Sequence, residues 1–265
     1  MQQDGRLELL PASELDDQEL AALFTASYEG YLVPFALDAA AMRFLTDAYD
    51  LDRDASVIAV RDGERVGLAN LGLRGADAWI GGVGVVPGER RRGTGRALME
   101  AVHEQSRSRG VERVWLEVIA ENTGAIALYE ALGYGHVRDV EVWSLPGAAG
   151  EAAEVDADEA HAWIREHRVE REPWQRDDVS LDKVTEPRGL LVEGAAAVVR
   201  VVGGRVSVVQ IAGDEEPTRI LLAGARSLGD VLSVLNVPVG HPAGKALAAL
   251  GGKADVRQHE MVLRF

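Results

Sequence analysis

Hydrophobic residues recur along the chain with two periods, and the changes of period divide its first part into strands and helices. Short runs rich in β-branched and other apolar residues predict strands, in which side chains alternate between the two faces. Apolar residues three and four positions apart predict helices with one buried face. These patterns predict strands at 7–12, 56–60, 65–73, 78–86, 113–119 and 141–145, and helices at 13–31, 37–50, 97–110 and 123–132.

Local signals indicate where several of these elements begin and end. Ser13 is expected to cap the first helix, because a short hydroxyl side chain can accept a hydrogen bond from a free helical N–H. Residues 61–64 contain Asp-Gly between two apolar runs and predict a hairpin turn. Asn122 is the expected cap of the helix that follows it, and Gly133 is expected to end that helix.

The composition changes after residue 145, where small and acidic residues follow one another. Such a segment buries little surface and is typical of a linker. We therefore expect a first domain at 1–146, a linker at 147–156 and a second domain at 157–265. In the second domain the patterns predict helices at 157–168, 217–229 and 243–252, and strands at 189–193, 195–202, 205–212, 230–238 and 256–265.

The second domain repeats the later part of the first in the order strand, helix, strand, helix, strand. A short echo in sequence accompanies this order, since residues 131–143 and 249–262 align with one inserted residue. The repeat carries different chemistry, because Leu247 occupies the position of Tyr129. Residues 214–217, Asp-Glu-Glu-Pro, precede its middle helix.

Composition and charge narrow the classes of partner. The 265 residues include no cysteine and carry a formal charge of −15. The first 54 residues hold twelve acidic residues and three arginines, a formal charge of −9. An acidic chain without cysteine argues against nucleic acid as a partner and against disulfides. Without a signal-like start or an apolar run near the ~20 residues of a membrane span, we expect a soluble, cytoplasmic protein. A homodimer is left open.

The strongest chemical signal is a turn rich in arginine and glycine between a strand and a helix. A helix N-terminus presents free N–H groups and a partial positive charge, so it can hold a phosphate. Glycine allows close approach to the ligand, and arginine adds charged donors. The candidate residues are Arg90, Arg91, Arg92, Gly93, Thr94, Gly95 and Arg96. This turn lacks the lysine of a P-loop and the third glycine of a dinucleotide-binding loop.

Two motifs in order resemble the GCN5-related N-acetyltransferase (GNAT) superfamily. The first is Arg90-x-x-Gly93-x-Gly95, and the second runs from Asn122 through Leu128-Tyr129 to Gly133-Tyr134. Together they cover about residues 55–145. The resemblance implies an α/β (α+β) fold with a mixed, mostly antiparallel sheet flanked by helices, and the echo implies a second, smaller and degenerate GNAT-like domain.

The resemblance also implies acetyl-CoA as co-substrate. No metal is expected, because the six histidines are scattered and His161 and His167 do not share a helix face. The pyrophosphate is expected on the arginine–glycine turn. The pantetheine arm is expected along the strand that carries Val83, Gly84 and Val85, with the side chain of Asn122 helping to hold it.

Two residues are candidates for proton transfer. In this family the tyrosine at the position of Tyr129 protonates the leaving CoA thiolate; the alternative is an aromatic residue on an apolar helix face. The segment around Glu117 is similar to the branch that acetylates the N-terminal alanine of a ribosomal protein, where a glutamate at this position is the general base. The alternatives are a glutamate that only points outward from a half-exposed strand, and a base formed by a chain of water molecules.

The first two helices border the acceptor site in this family, so Tyr28, Tyr31, Phe35 and Trp79 are candidates for a substrate pocket or for ordinary core aromatics. Glu100-x-x-His103 is expected to be a surface pair. The expected function is transfer of an acetyl group to a primary amine of a cationic small molecule or peptide. A catalytically silent module that binds CoA or recognises a protein is the alternative.

Overall fold

The computed structural model describes residues 5–33 and 36–265, which form two compact units. The first unit comprises the described residues up to Val137 together with Glu260–Phe265, and the second is Arg138–His259. The predicted division at a linker of residues 147–156 uses other bounds and stays a prediction. None of the helices in the described part of the chain is long and apolar enough to cross a bilayer.

All predicted helices and strands occur in the predicted order, with bounds shifted by up to six residues, and two short elements of the second unit, at 154–155 and 178–181, were not predicted. In the first unit they are β1 (Leu7–Pro11), α1 (Asp17–Ser27), α2 (Ala39–Ala48), β2 (Val57–Arg61), β3 (Glu64–Arg74), β4 (Asp77–Val85), α3 (Thr94–Ser108), β5 (Arg113–Ile119) and α4 (Thr123–Ala131). Strand β6 (Gly135–Pro146) leads from the first unit into the second.

In the second unit the chain continues as β7 (Glu154–Val155), α5 (Ala157–His167), α6 (Asp178–Leu181), β8 (Arg188–Val192), β9 (Ala195–Val202), β10 (Arg205–Gly213), α7 (Glu215–Ala225), β11 (Val231–Pro238) and α8 (Pro242–Ala249). The last strand, β12 (Lys253–Arg264), contributes its final residues to the first unit. The predicted repeat is confirmed at the level of element order, because β10, α7, β11, α8 and β12 follow one another as β4, α3, β5, α4 and β6 do.

The sheet of the first unit is antiparallel from β1 to β4, and β4 pairs with β5 in parallel. Parallel pairing covers only three positions and ends where Trp79 faces Trp115. On its other edge β4 stays paired with β3 to Val85. The register with β3 shifts at Gly81, a β-bulge that bends the strand. Strands β4 and β5 therefore diverge beyond Trp79 and Trp115.

Helices cover both faces of this sheet. Leu98, Met99 and Val102 of α3 are fully buried on one face. Leu20 and Phe24 of α1 belong to a separate apolar cluster together with residues of β2 and β3. Since each helix buries one stripe of apolar side chains, the strands between them are apolar on both sides.

The cap predicted for the first helix is wrong by one turn. Residues 12–14 form a short 3₁₀ turn, and α1 begins after Asp16, whose carboxylate accepts the Glu19 N–H at 2.8 Å. The Glu19 carboxylate in turn accepts the Asp16 N–H at 3.1 Å. This reciprocal pair satisfies two N–H groups, which a serine at position 13 cannot do from the preceding turn.

The second unit repeats the layered plan. Its strands lie in the order β6-β11-β10-β9-β8-β7, with β10 and β11 parallel from Arg205 and Val231 to Val208 and Val234. Helices α7 and α8 pack on one face around Leu222 and Leu247, and α5 packs on the other through Ile164. Leu247, at the position of Tyr129 in the first unit, is fully buried in this core.

Candidate functional site

A cleft of about 660 Å³ in the first unit lies along the end of β4, beyond the last pairing of this strand with β5. Its walls come from the end of α1, the end of β4, the turn before α3 and the start of α4. Twelve predicted site residues line it: Tyr28, Tyr31, Val83, Gly84, Val85, Arg90, Arg91, Gly93, Gly95, Arg96, Asn122 and Tyr129. Arg92, Thr94, Glu117 and Trp79 do not line this cleft, and Phe35 lies outside the described residues.

The turn between β4 and α3 has the geometry of an anion site. Helix α3 begins after Gly93, which adopts φ 82° and offers no side chain to cap the helix. The first N–H groups of α3 are therefore left to a ligand or to water. Arg91 also has a positive φ, 61°, which is strained for a residue with a Cβ and is a feature of ligand-binding turns. A Cβ at Gly95 would meet only ordinary contacts, with Leu128 and Val85 at 3.7 and 3.8 Å.

The four arginines of the turn do not act alike. The Arg90 guanidinium donates to three carbonyl oxygens, those of Val85 at 2.9 Å, Ser27 at 3.1 Å and Glu29 at 2.6 Å. It ties the end of α1 to the end of β4, a role for which the sequence carries no local signal. Arg92 is bound to the Glu89 carboxylate at 2.5 Å, away from the cleft lining.

Arg91 and Arg96 are the other two arginines of the turn that line the cleft. Arg91 makes no ion pair among the described residues, and Arg96 has only a 3.5 Å contact with the exposed Glu100. The expected cluster of four phosphate donors is therefore reduced to two side chains and the backbone N–H groups. A buried arginine, Arg61, supports the turn from below through Glu89 at 2.9 Å and the Thr94 hydroxyl at 3.5 Å.

Glycines in β4 let α1 approach the strand closely. A Cβ on Gly84 would stand 2.6 Å from the Ser27 Cβ, so only glycine fits there. The ring of Tyr28 lies over this part of the strand and stacks on Phe24 with ring centres 4.4 Å apart. The end of α1 is thereby held against the strand edge that borders the cleft.

Three tyrosines converge on the cleft: Tyr28 and Tyr31 follow α1, and Tyr129 lies in α4. Tyr31 meets Tyr28 edge to face at 5.0 Å and lies within 3.2 Å of the Asn122 side-chain nitrogen, which donates to its hydroxyl. Burial, followed by the nearby phenol of Tyr31, raises the pKa of Tyr129 well above its ordinary value. Burial likewise raises the pKa of Tyr28. Both phenols therefore stay protonated at neutral pH.

Asn122 serves two purposes. Its carbonyl oxygen accepts the Ala125 N–H at 3.2 Å and so caps α4, as predicted. Its amide nitrogen bonds to Tyr31 across the cleft. Glu121, Thr123 and Gly124 also line the cleft and were not predicted as site residues, although all three neighbour Asn122 in the sequence.

Glu117 and Trp79 form a pair of their own, beside the point where β4 and β5 separate. The Trp79 indole N–H donates to a carboxylate oxygen of Glu117 at 2.8 Å. Trp79 is buried and Glu117 is half-buried. Glu117 therefore does not simply point outward into solvent, and Trp79 is a partner of the candidate base.

His103 also differs from its expected surface position. It is 3% exposed, and its Nε2 lies 2.9 Å from the Tyr134 hydroxyl. The Tyr134 ring is next to Tyr129, with centres 5.8 Å apart. Burial, with the charge of Arg107, lowers the pKa of His103 to about 4, so the imidazole is neutral at pH 7. The sequence could not reveal this because its partner lies 31 positions away.

The corresponding place in the second unit is closed by the chain itself. Where β10 and β11 cease to pair, the Arg176 guanidinium donates to the Val209 carbonyl at 3.3 Å and to the Leu235 carbonyl at 3.2 Å. It also contacts the buried Glu172 carboxylate at 3.3 Å. Burial raises the pKa of Glu172. Arg176, 2% exposed, thus bridges β10 and β11, which correspond to β4 and β5 of the first unit.

Comparison with known proteins places these features in a family. Residues 18–134 match the model of the acetyltransferase (GNAT) family. A [ribosomal protein bS18]-alanine N-acetyltransferase of Escherichia coli (strain K12) is 47% identical over 58 residues, which are 22% of this chain and 39% of that protein. The chain thus matches about two fifths of the length of this curated relative.

Similarity of structure extends over both units. A GCN5-related N-acetyltransferase from Sphaerobacter thermophilus aligns with a TM-score of 0.73 at 16% identity, over 97% of this chain and 95% of the other. A tandem GNAT protein from the clavulanic acid biosynthesis pathway aligns with a TM-score of 0.65 at 17% identity, over 98% of both chains. Residues 18–134 therefore resemble the acetyltransferase (GNAT) family, and the chain has the fold of a tandem GNAT protein.

Proposed function

We propose that the first unit transfers an acetyl group from acetyl-CoA to a primary amine by direct attack within a ternary complex. The observation that carries the proposal is one cleft that joins an uncapped helix N-terminus, a glycine-lined strand edge and a buried tyrosine. In a catalytically silent module no such tyrosine would be needed. The match of residues 18–134 to the acetyltransferase (GNAT) family supports the same reaction.

The residues of the cleft fit acetyl-CoA. The free N–H groups of α3, with Arg91 and Arg96, suit a pyrophosphate. The edge of β4 at Val83 to Val85 faces the cleft beyond its last pairing with β5, so its backbone groups can pair with the amides of a pantetheine arm. Acetyl-CoA supplies an acetyl thioester, from which the acetyl group passes to the amine nitrogen while CoA leaves as a thiolate.

Two side chains of this unit are assigned to proton transfer. The Tyr129 hydroxyl gives its proton to the departing thiolate, a role that suits a phenol kept protonated by burial. Glu117 takes the proton that the amine nitrogen loses, directly or through water. A carboxylate that already accepts one hydrogen bond from Trp79 is held in place for this task.

The acceptor is assigned to the class of cationic amines, whether small molecules or peptides. The charge of −9 on the first 54 residues motivates this assignment, because α1 and its neighbourhood border the cleft and an acidic surface concentrates positive substrates. The name of the curated relative gives an alanine of ribosomal protein bS18 as its acceptor. A peptide amine is therefore included among the acceptors to be tested.

Release of free thiol from acetyl-CoA across a panel of amines tests the reaction itself. We expect amine-dependent thiol release and acetylated product in the intact chain. Binding of acetyl-CoA without thiol release for any amine would favour the silent module. Raising the salt concentration should raise KM for a true cationic acceptor, and a preferred acceptor that is neutral or acidic would refute the cationic assignment.

Calorimetry with matched charge variants tests the anion site. Gly95→Glu should weaken acetyl-CoA binding by at least about 100-fold, because its carboxylate lies at the helix N-terminus where the pyrophosphate is expected. Gly88→Glu adds the same charge to the same turn, outside the cleft lining and in open space, and should change affinity only a few-fold. Equal affinities in both variants would remove the turn from the site.

A further inference from the structure

Trp79 and Glu117 meet where the parallel strands of the first unit separate. Trp79 faces Trp115 in the last register pair between β4 and β5, and Glu117 lies two residues farther along β5. The indole N–H of Trp79 reaches Glu117 across the opening, with 2.8 Å between nitrogen and oxygen. A side-chain hydrogen bond thus continues the contact between the strands just past the end of their backbone pairing.

The indole is held rigidly by its surroundings. Trp79 is 7% exposed, and Tyr49 packs against its ring edge to face with centres 5.6 Å apart. A Cβ at Gly81 would stand only 2.9 Å from the indole, so the ring also fills the space left by this glycine. Burial first, and then the charge of Glu117, raises the pKa of Tyr49, while Arg74 opposes the shift. Glu117 therefore accepts its hydrogen bond from an indole that is packed against Tyr49.

A hydrogen bond donated to a carboxylate has two effects. It favours the ionised form, and it fixes the direction of the oxygen that is not bonded to the donor. A general base needs both, because it must be deprotonated at the working pH and aimed at the amine. We propose that Trp79 is a positioning residue, whose indole N–H keeps Glu117 ionised and oriented toward the acceptor amine. This inference rests on the proposed function.

The competing explanation is that the Trp79–Glu117 hydrogen bond only stabilises the contact between β4 and β5. A second tryptophan–carboxylate hydrogen bond between the same two strands provides a matched control. The Trp115 indole N–H donates to the Asp77 carboxylate at 2.8 Å, in the opposite direction between the strands. Trp115 is 8% exposed, close to the exposure of Trp79. Asp77 keeps a two-point contact with Arg113, at 2.7 Å for both bonds, if the indole is removed.

The test compares the pH dependence of kcat/KM in Trp79→Phe and Trp115→Phe, with one amine throughout. Trp79→Phe should move the acidic limb up by about one pH unit and lower the rate near neutral pH, with KM for acetyl-CoA unchanged. Trp115→Phe should leave the limb where it is. No movement in Trp79→Phe, or equal movement in both variants, would overturn the positioning role.

Two further measurements separate this inference from the proposed function. If Glu117→Gln keeps the acidic limb of the unmodified chain, the assignment of Glu117 as base fails; if it loses the limb while Trp79→Phe leaves it unmoved, only the role of Trp79 fails. In the unmodified chain, the indole proton resonance of Trp79 should titrate with the midpoint of that limb, and Glu117→Gln should abolish the titration. An indole resonance that is independent of pH would contradict the proposal without requiring that Trp79→Phe fold.

Discussion

Tyr129 shows how burial prepares a single side chain for proton transfer. Its ring packs in the core of the first unit next to Tyr134, while its edge borders the cleft. Because burial penalises the phenolate, the hydroxyl keeps its proton far beyond neutral pH. The same cause acts on Tyr134, whose pKa also rises on burial. Of these two tyrosines, however, Tyr129 borders the cleft and Tyr134 does not.

Replacing Tyr129 with Phe should lower turnover by roughly 10² to 10⁴, the usual contribution of a positioned general acid, with little change in acetyl-CoA affinity. Tyr134→Phe removes a hydroxyl from the adjacent ring and serves as the control, with turnover nearly unchanged. Steady-state rates and calorimetry on both variants check this. In the unmodified chain Tyr129 should cause no loss of turnover below about pH 10, because its pKa is raised above the ordinary value. Full turnover in Tyr129→Phe would assign the proton to another donor.

His103 gives the first unit a dependence of stability on pH. The folded state holds this imidazole neutral, with a pKa of about 4, whereas the unfolded chain binds a proton near pH 6.5. As the pH falls through that interval the unfolded state binds more protons, so the free energy of unfolding decreases, by on the order of 2–3 kcal/mol near pH 4.

Urea denaturation at pH 7 and pH 4.5 checks this expectation, with His103→Gln as the comparison. The variant should lose part of the decrease between the two pH values. His241, whose pKa burial also lowers to about 4, keeps its own contribution in the second unit. An unchanged pH dependence in His103→Gln would show that protonation of His103 in the unfolded state does not cause the loss of stability.

Each unit contains a short pair of parallel strands that separate, and the space beyond the separation differs between the two units. In each unit a parallel pair is joined through a helix and ceases to pair after three or four positions. In the first unit β4 continues past its last pairing with β5 and borders an open cleft, with glycine at its wall. In the second unit the segment before α6 fills the separation, and Arg176 satisfies a carbonyl of each strand.

Arg176→Met should destabilise the second unit by roughly 3–5 kcal/mol, because it leaves Glu172 buried without its cation and two strand carbonyls without a donor. Arg219→Met removes an arginine from the exposed pair with Glu216 in the same unit and should leave the denaturation midpoint unchanged. Urea denaturation followed by circular dichroism measures both. A small loss in Arg176→Met, similar to that in Arg219→Met, would mean that the bridge is not needed.

On the scale of the whole molecule, the two units differ in the sign of the charge at the start of their middle helices. Helix α3 follows a turn of arginine and glycine, whereas α7 begins at Asp214, Glu215 and Glu216. Carboxylates at a helix N-terminus compete with a phosphate for the same N–H groups and repel it. The place that a pantetheine arm would take is filled by Arg176.

One acetyl-CoA should therefore bind to each intact chain. Calorimetric titration should give a stoichiometry near one for the unmodified chain and no saturable binding for Gly95→Glu. A stoichiometry near two, or binding that survives in Gly95→Glu, would place a second site outside the cleft of the first unit.

Local sequence patterns account for the order of the main elements, for the start of α4 and for the family resemblance. These features depend on neighbours in the chain: Asn122 caps α4 through an N–H three positions away, and Gly93 adopts a conformation that its lack of a Cβ permits. Two motifs of this local kind were enough to predict the fold and about half of the residues that line the cleft.

The hydrogen-bond partners of the long polar side chains depend on the tertiary structure. Arg90 binds a carbonyl 63 positions earlier, Trp79 bonds to Glu117 38 positions later, and Arg176 joins two strands of the second unit. A local pattern specifies the backbone conformation of a segment and the face on which each side chain lies. It does not specify which distant group the folded chain brings within hydrogen-bonding distance. That placement decides whether an arginine of the turn is available to a phosphate or, like Arg90, binds backbone carbonyls.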